Sequence, residues 1–186
     1  MRTQMGEPVP ADAMTLALCK LGDVAAVQAY LKKNPGMLNS KSEKKGLLPL
    51  QVAAGFEQPE VVKALLELNA NLLALDNYAM TPMHVAASKE NIECLTIMLA
   101  DPKGKEAANT ADEDGSTPLH HAAYSGLKAN VEALMAAGAV DNGKTAAMEA
   151  TEKGFDECAA AIAAGAAAAA PAEGGEAAEG EEGEAE

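Results

Sequence analysis

Aromatic side chains make up only 3% of this 186-residue chain and tryptophan is absent, so a core must be built from Ala, Leu, Val and Met at short range. Small side chains favour thin helical layers over a thick sandwich. Arginine is nearly missing too, with Arg2 alone among 14 basic residues, while Asp and Glu number 28. A net charge of −14 leaves little with which to neutralise a phosphate backbone, and nucleic acid is excluded as a partner. The three cysteines, Cys19, Cys94 and Cys158, are odd in number and too widely spaced for a zinc knuckle or a disulfide framework. Neither a metal nor another cofactor is expected, and a reducing compartment is. No apolar stretch has the length of a signal peptide or a membrane span. Ala159 to Ala170 is the longest candidate, with ten alanines in twelve residues interrupted by Gly165, and it is too short and too weakly apolar. The chain therefore reads as soluble and cytoplasmic, without membrane contact, a nuclear or a cytoskeletal or ciliary setting being the other homes its composition permits.

What the chain does have is 48% apolar residues, enough for one packed domain, and a sharp change of character near its end. From Pro171 onward only Ala, Gly and Glu follow, seven of the last fifteen residues being glutamate. Such a segment has nothing large to bury and is expected to be disordered. Without those seven glutamates the remainder holds 21 acids against 14 bases, so the tail carries half of the net charge. A mobile acidic tail is suited to contact with a basic partner. Residues 1–10, with Pro8 and Pro10, read as an unstructured lead-in.

The body repeats. Leu48-Pro49-Leu50-Gln51-Val52-Ala53-Ala54, Thr81-Pro82-Met83-His84-Val85-Ala86-Ala87 and Thr117-Pro118-Leu119-His120-His121-Ala122-Ala123 start 33 and 36 residues apart. Weaker copies open at Ala13 and at Thr145. After each opening a second apolar helix is predicted, with Val27, Val62, Leu95, Val131 and Ala159 in one column and Tyr30, Leu65, Met98, Leu134 and Ile162 three residues on, hence on the same face. A break nine residues into the unit recurs as Gly22, Gly126 and Gly154. The openings obey helix-start chemistry, with threonine at the cap and proline at the first helical position, where no amide donor is missed.

A period near 33 with a Thr-Pro-Leu-His-x-Ala opening resembles the ankyrin repeat. That resemblance implies an all-α solenoid of about five helix-turn-helix units joined by short hairpin loops, over residues 11–165, with units near 11–42, 43–75, 76–111, 112–140 and 141–165. Residues 166–186 would form the Ala-rich, then acidic, tail. The first and fifth units lack parts of the motif and read as caps. Gln51 in place of histidine, and the lengthened loop Asp101 to Glu106, are where the family geometry is expected to depart most. The resemblance also implies that each motif histidine bonds the threonine of its own or a neighbouring unit.

Three motifs compete with this frame. Gly138 to Thr145 matches the P-loop pattern, but that motif needs a buried strand before it, whereas Val131 to Ala137 has helical spacing. A nucleotide-binding enzyme is thus the remote alternative. Asp112-Glu113-Asp114-Gly115 has part of a calcium loop without its closing glutamate, and reads as a solvated hairpin tip. His121 stands outside the motif position with no nucleophile beside it, an edge-of-core or groove residue, while the cysteines read as small buried apolar side chains.

No catalytic residue is expected and the chain reads as non-catalytic. In the family it resembles, partners bind along the hairpin tips and the inner face of each first helix. Carried onto this sequence, those positions are Lys44, Lys45, Leu47 and Phe56, then Asn77, Tyr78, Met80, Ser88 and Lys89. The fourth unit adds Glu113, Asp114, Ser116, Tyr124 and Ser125, and the fifth Lys144, Glu152 and Lys153. Phe56, Tyr78, Met80 and Tyr124 are the residue types that anchor interfaces, although Phe56 and Tyr78 equally suit a role covering the core. The second unit's tip is basic and the fourth's acidic, which would orient an asymmetric partner. The expectation is a scaffold, adaptor or structural subunit that binds another protein, with inhibition of a partner enzyme as the alternative.

Overall fold

The computed structural model describes residues 11–43, 46–141 and 145–169. Eleven α-helices and no strand occur among them. They run α1 (Ala11–Leu21), α2 (Val24–Lys33), α3 (Pro49–Gly55), α4 (Pro59–Glu67), α5 (Pro82–Ala87), α6 (Ile92–Leu99), α7 (Gly104–Ala108), α8 (Pro118–Tyr124), α9 (Lys128–Ala136), α10 (Ala146–Glu152) and α11 (Asp156–Ala169). Helices this short do not hold alone in water, so tertiary burial must supply most of their stability. Burial comes from stacking. An inner row packs α1 on α3, α3 on α5, α5 on α8 and α8 on α10, and an outer row packs α2 on α4, α4 on α6, α6 on α9 and α9 on α11.

The alanine pairs explain the close inner row, since Ala53, Ala54, Ala86, Ala87, Ala122 and Ala123 are fully buried and their methyl groups let neighbouring helices approach. Cys19 takes the equivalent place in the first unit and is also fully buried. The outer helices bury the two columns read from the sequence: Val62, Leu95, Val131, Leu65, Met98 and Leu134 have no exposure, and Tyr30 and Ala159 are half-buried. Gly22, Gly126 and Gly154 adopt φ of +76°, +69° and +81°, the left-handed geometry that ends α1, α8 and α10. In the second unit Glu57 occupies that column and accepts φ of +54°.

Two places expected to depart from the family geometry do not disturb the stack. Residues 101–108 absorb the extra length as a turn and a short helix. The Asp101 carboxylate accepts from Lys103 N at 2.9 Å, and Ala107 and Ala108 of α7 join the core beside α5 and α6. Gln51 reproduces the histidine's bonds. Its Oε1 accepts from Leu48 N at 3.0 Å and its Nε2 donates to Met80 O, at the next unit's threshold, at 2.9 Å. At the C-terminal side α11 runs on through Ala169, so the Ala-rich segment from residue 166, expected in the tail, continues the helix as far as the structure describes it. Ten residues at the start, 44–45, 142–144 and 170–186 lie outside the described part, and with them the expected lead-in and acidic tail.

One stacking contact is not apolar. Asn130 is 1% exposed on α9, in the column that holds Val61, Cys94 and Cys158 elsewhere, and its Nδ2 donates to Ala87 O at 2.9 Å and Lys89 O at 2.7 Å. It thereby satisfies carbonyls at the C-terminal end of α5, one unit away. Asn130→Ala is expected to cost about 1–3 kcal/mol, because it leaves buried acceptors without a donor. A urea titration checks this, with the exposed Lys63→Ala as the variant expected to keep the native midpoint.

Candidate partner-binding face

The loops that lead into α5 and α8 are knotted by an aspartate. Asp76 Oδ1 accepts from Tyr78 N at 2.8 Å and Met80 N at 3.0 Å, while Asp112 Oδ1 accepts from Asp114 N at 3.0 Å and Ser116 N at 2.9 Å. Short polar side chains that bond the backbone two and four residues on hold such turns closed. Asp112 is therefore no solvated tip residue, a correction to the sequence reading. It is half-buried, and Glu113 and Asp114 are the exposed carboxylates of that tip.

Behind the tips run the motif side chains. His84 Nδ1 accepts from Thr81 N at 3.0 Å and bonds the Thr81 hydroxyl at 2.8 Å, which places the ring proton on Nε2, 3.1 Å from Ser116 O of the next unit. His120 repeats the contact with Thr117, at 3.2 Å to the amide and 3.0 Å to the hydroxyl. The histidine thus bonds its own threonine and also crosses to the neighbouring unit, through the carbonyl before the next threonine. His121 pairs with Asp112 at 3.0 Å and meets His84 edge-on, ring centroids 5.3 Å apart. Sequence spacing did not reveal that pair, because nine residues separate the partners and a loop folds between them.

Burial holds His84 down, from 6.5 to about 4, with the nearby His121 adding to it and the Ser116 carbonyl and the Asp112 and Asp76 carboxylates opposing. For Asp112 burial pulls upward but is outweighed by the bonds from His121, Ser116 N and Asp114 N, so its carboxyl lies below the usual range. His84, Asp112 and His121 bring three ligand-type atoms within 4.8 Å of one another. They do not suit a metal as arranged, since the Nδ1 lone pair of His84 receives Thr81 N–H and its Nε2 proton faces Ser116 O. Burial pushes Cys19 up to about 12 and Cys94 up to about 11, Cys94 further aided by Glu57 and Glu93, and it also raises Cys158. All three stay protonated thiols near neutral pH, unsuited to nucleophilic chemistry. The P-loop-like segment follows α9 and not a strand. Gly138, at φ +84°, stops that helix, and the Thr145 hydroxyl accepts from Met148 N at 3.2 Å to start the next.

The positions expected to meet a partner fall on two edges of the inner row. Asn77, Tyr78, Glu113 and Asp114 are exposed at the tips, with Met80 and Ser116 half-buried behind them. Phe56, Tyr124, Ser125, Glu152 and Lys153 are exposed at the far ends of the inner helices, where Ser88 and Lys89 are half-buried. Leu47 packs against the core. Met80 and Ser116 give their main chain to the stack, as acceptors from Gln51 and His84. Lys44, Lys45 and Lys144 lie outside the described residues, and with them the expected basic tip.

Phe56 and Tyr78 are 47% and 54% exposed, and Tyr124 is 56% exposed. Lys20 of the first unit places its ammonium 4.7 Å from the centre of the Phe56 ring, and Lys153 of the fifth stands 4.2 Å from that of Tyr124. Lys20 and the 68% exposed Leu21 therefore extend the far edge into the first unit. The sequence reading missed them, although they fall in the same columns of the repeat as Tyr124 and Phe56.

Comparison with known proteins agrees with this architecture. The family described as ankyrin repeats (3 copies) matches residues 14–107 and 100–170. The probable E3 ubiquitin-protein ligase XBOS31 of Oryza sativa is 31% identical over 129 residues, covering 69% of this chain and 28% of the relative. The probable 26S proteasome regulatory subunit p28 of Saccharomyces cerevisiae is 29% identical over 108 residues, 58% of this chain and 46% of the relative. Human neurogenic locus notch homolog protein 4 is 37% identical over 92 residues, 50% of this chain and 4% of the relative. The chain spans less than half of each of these longer proteins.

The folded His84 binds its proton less readily than the unfolded side chain does, so its contribution to stability is complete above pH 6.5 and is lost as the pH falls toward 4. The loss is on the order of 3 kcal/mol. His84→Gln, which can repeat the two bonds of Gln51, is expected to keep stability at pH 7 and to flatten that dependence. Urea midpoints measured between pH 4 and 7 test it, and an unchanged slope in the variant would contradict the assignment.

Proposed function

Because the chain belongs to the ankyrin-repeat family, whose repeats are protein–protein interaction modules, we propose that it serves as a non-catalytic scaffold or adaptor gripping a partner protein across its inner helix row. The observation that carries this reading is the far edge of that row, where Leu21, Phe56 and Tyr124 are 68%, 47% and 56% exposed. Exposed apolar side chains aligned over several units mark an interaction site more than a surface average does. The polar groups deeper in the stack are otherwise engaged, since among the described residues every buried side-chain nitrogen and oxygen has a hydrogen-bond partner. That leaves positioning, and no assembled nucleophile and base, as the work the geometry supports. The family is generally non-catalytic, which accords with this.

No helix among the described residues is long and apolar enough to cross a membrane. The reading therefore needs only a partner with a complementary protein surface.

Capture from the native source with the full chain as bait tests the proposal, run beside a Phe56→Ala, Tyr124→Ala double variant whose helicity is matched by circular dichroism. Removing two interface anchors is expected to weaken a partner at least about thirtyfold. Equal recovery by both baits would overturn the far edge as the binding site. Calorimetry with millimolar magnesium and ATP is expected to show no saturable heat, and saturable heat abolished by Lys144→Ala would overturn the non-catalytic reading.

A further inference from the structure

Three exposed aromatic rings stand along the inner row, and the chain treats them differently. Phe56 and Tyr124 each receive an ammonium from an adjoining unit, Lys20 at 4.7 Å and Lys153 at 4.2 Å. The third, Tyr78, sits at the tip of its unit, and the adjoining tip brings carboxylates. Glu113 N donates to Tyr78 O at 3.2 Å, which stitches the two tips together. Tyr78, Glu113 and Asp114 are all exposed. Asp112, the remaining acid of that tip, is already engaged with His121 and two backbone amides. Glu113 and Asp114 form no ion pair among the described residues.

We propose that the paired tips of the third and fourth units, through Tyr78, Glu113 and Asp114, bind an arginine side chain presented by an extended, basic segment of the partner protein. This deepens the scaffold reading above and rests on it. The chemistry selects arginine in particular. A guanidinium is planar, stacks on an aromatic face and still presents edge N–H donors to a carboxylate, whereas a lysine ammonium is a compact, strongly hydrated charge with no flat face to lay on the ring. Charge complementarity points the same way, because the chain without its acidic end still holds 21 acids against 14 bases and its only arginine is Arg2.

The test uses the full chain and a synthetic peptide of alternating glycine and arginine, with a glycine–lysine peptide of equal length and charge as its comparator. Backbone amide shifts at Tyr78, Glu113 and Asp114 are expected on titration with the arginine peptide. Tyr78→Ala is expected to weaken its binding about three- to tenfold, Glu113→Gln with Asp114→Asn by at least as much, and the lysine peptide to bind more weakly than the arginine peptide. Tyr78→Phe, which keeps the ring, is expected to bind as the native chain does. Equal affinity of the two peptides, or shifts confined to the glutamates of residues 173–186, would overturn the proposal and identify simple charge attraction. The two readings separate in the capture experiment. A partner lost by the Phe56→Ala, Tyr124→Ala bait but held by Tyr78→Ala and by Glu113→Gln with Asp114→Asn sinks the arginine site alone, and a partner indifferent to all of these sinks the far edge as the binding site as well.

Discussion

One side chain at the third position of α3 and of α5 holds two units together. Gln51 and His84 each accept the amide that opens their own helix and each donate to the carbonyl just before the next unit's helix. That single group ends the hydrogen-bond deficit of a helix start and sets the spacing to the neighbour. Without it, six- and seven-residue helices have exposed starts and no defined partner. The constraint is chemical, not specific to imidazole, since an amide side chain with an acceptor and a donor at opposite sides serves in the second unit. An imidazole meets the same demand only while neutral, which is why burial of His84 is tied to its low proton affinity.

From that bridge follows the division of surfaces. The buried side of each inner helix is spent on alanines and on the bridging residue, and the outer helices bury their two apolar columns against one another. What remains outward on the inner row is unconstrained by packing, and it is there that the chain shows Leu21, Phe56, Tyr78 and Tyr124. The end unit illustrates the same rule by exception. Met148 occupies the bridging position of α10 and is 58% exposed. A repeat array therefore carries stability in its interfaces and identity in its edges.

Charge is distributed with the same economy. Asp76 and Asp112 sit where acids would look like solvent-facing tips, yet both close turns from within, and Asp112 in addition holds His121. Lysines from the end units lie over Phe56 and Tyr124, while the tip that bonds Tyr78 through its main chain is the acidic one of Glu113 and Asp114. The inner face consequently differs from tip to far edge in the kind of group it leaves open, a difference a partner would read through side-chain chemistry laid on a scaffold common to the family.

The all-helical class, the repeating units and the burial of the two outer-helix columns were legible in the sequence, because Thr-Pro openings, paired alanines and three-residue apolar spacing are local signals that packing must honour. The fate of individual polar residues was not. That Gln51 would act as a histidine does, that Asn130 would cross to the end of α5, that Asp112 would bind His121, and that Lys20 would lie over Phe56 each depend on contacts between different units or across a folded loop, which no spacing along the chain encodes. The amino-acid order alone determined a stack of thin helix pairs, since alternating apolar faces and helix caps suffice for that. Only the tertiary structure decided which polar atoms meet, because hydrogen bonds and ring contacts are settled within a few tenths of an ångström by how one unit seats on the next.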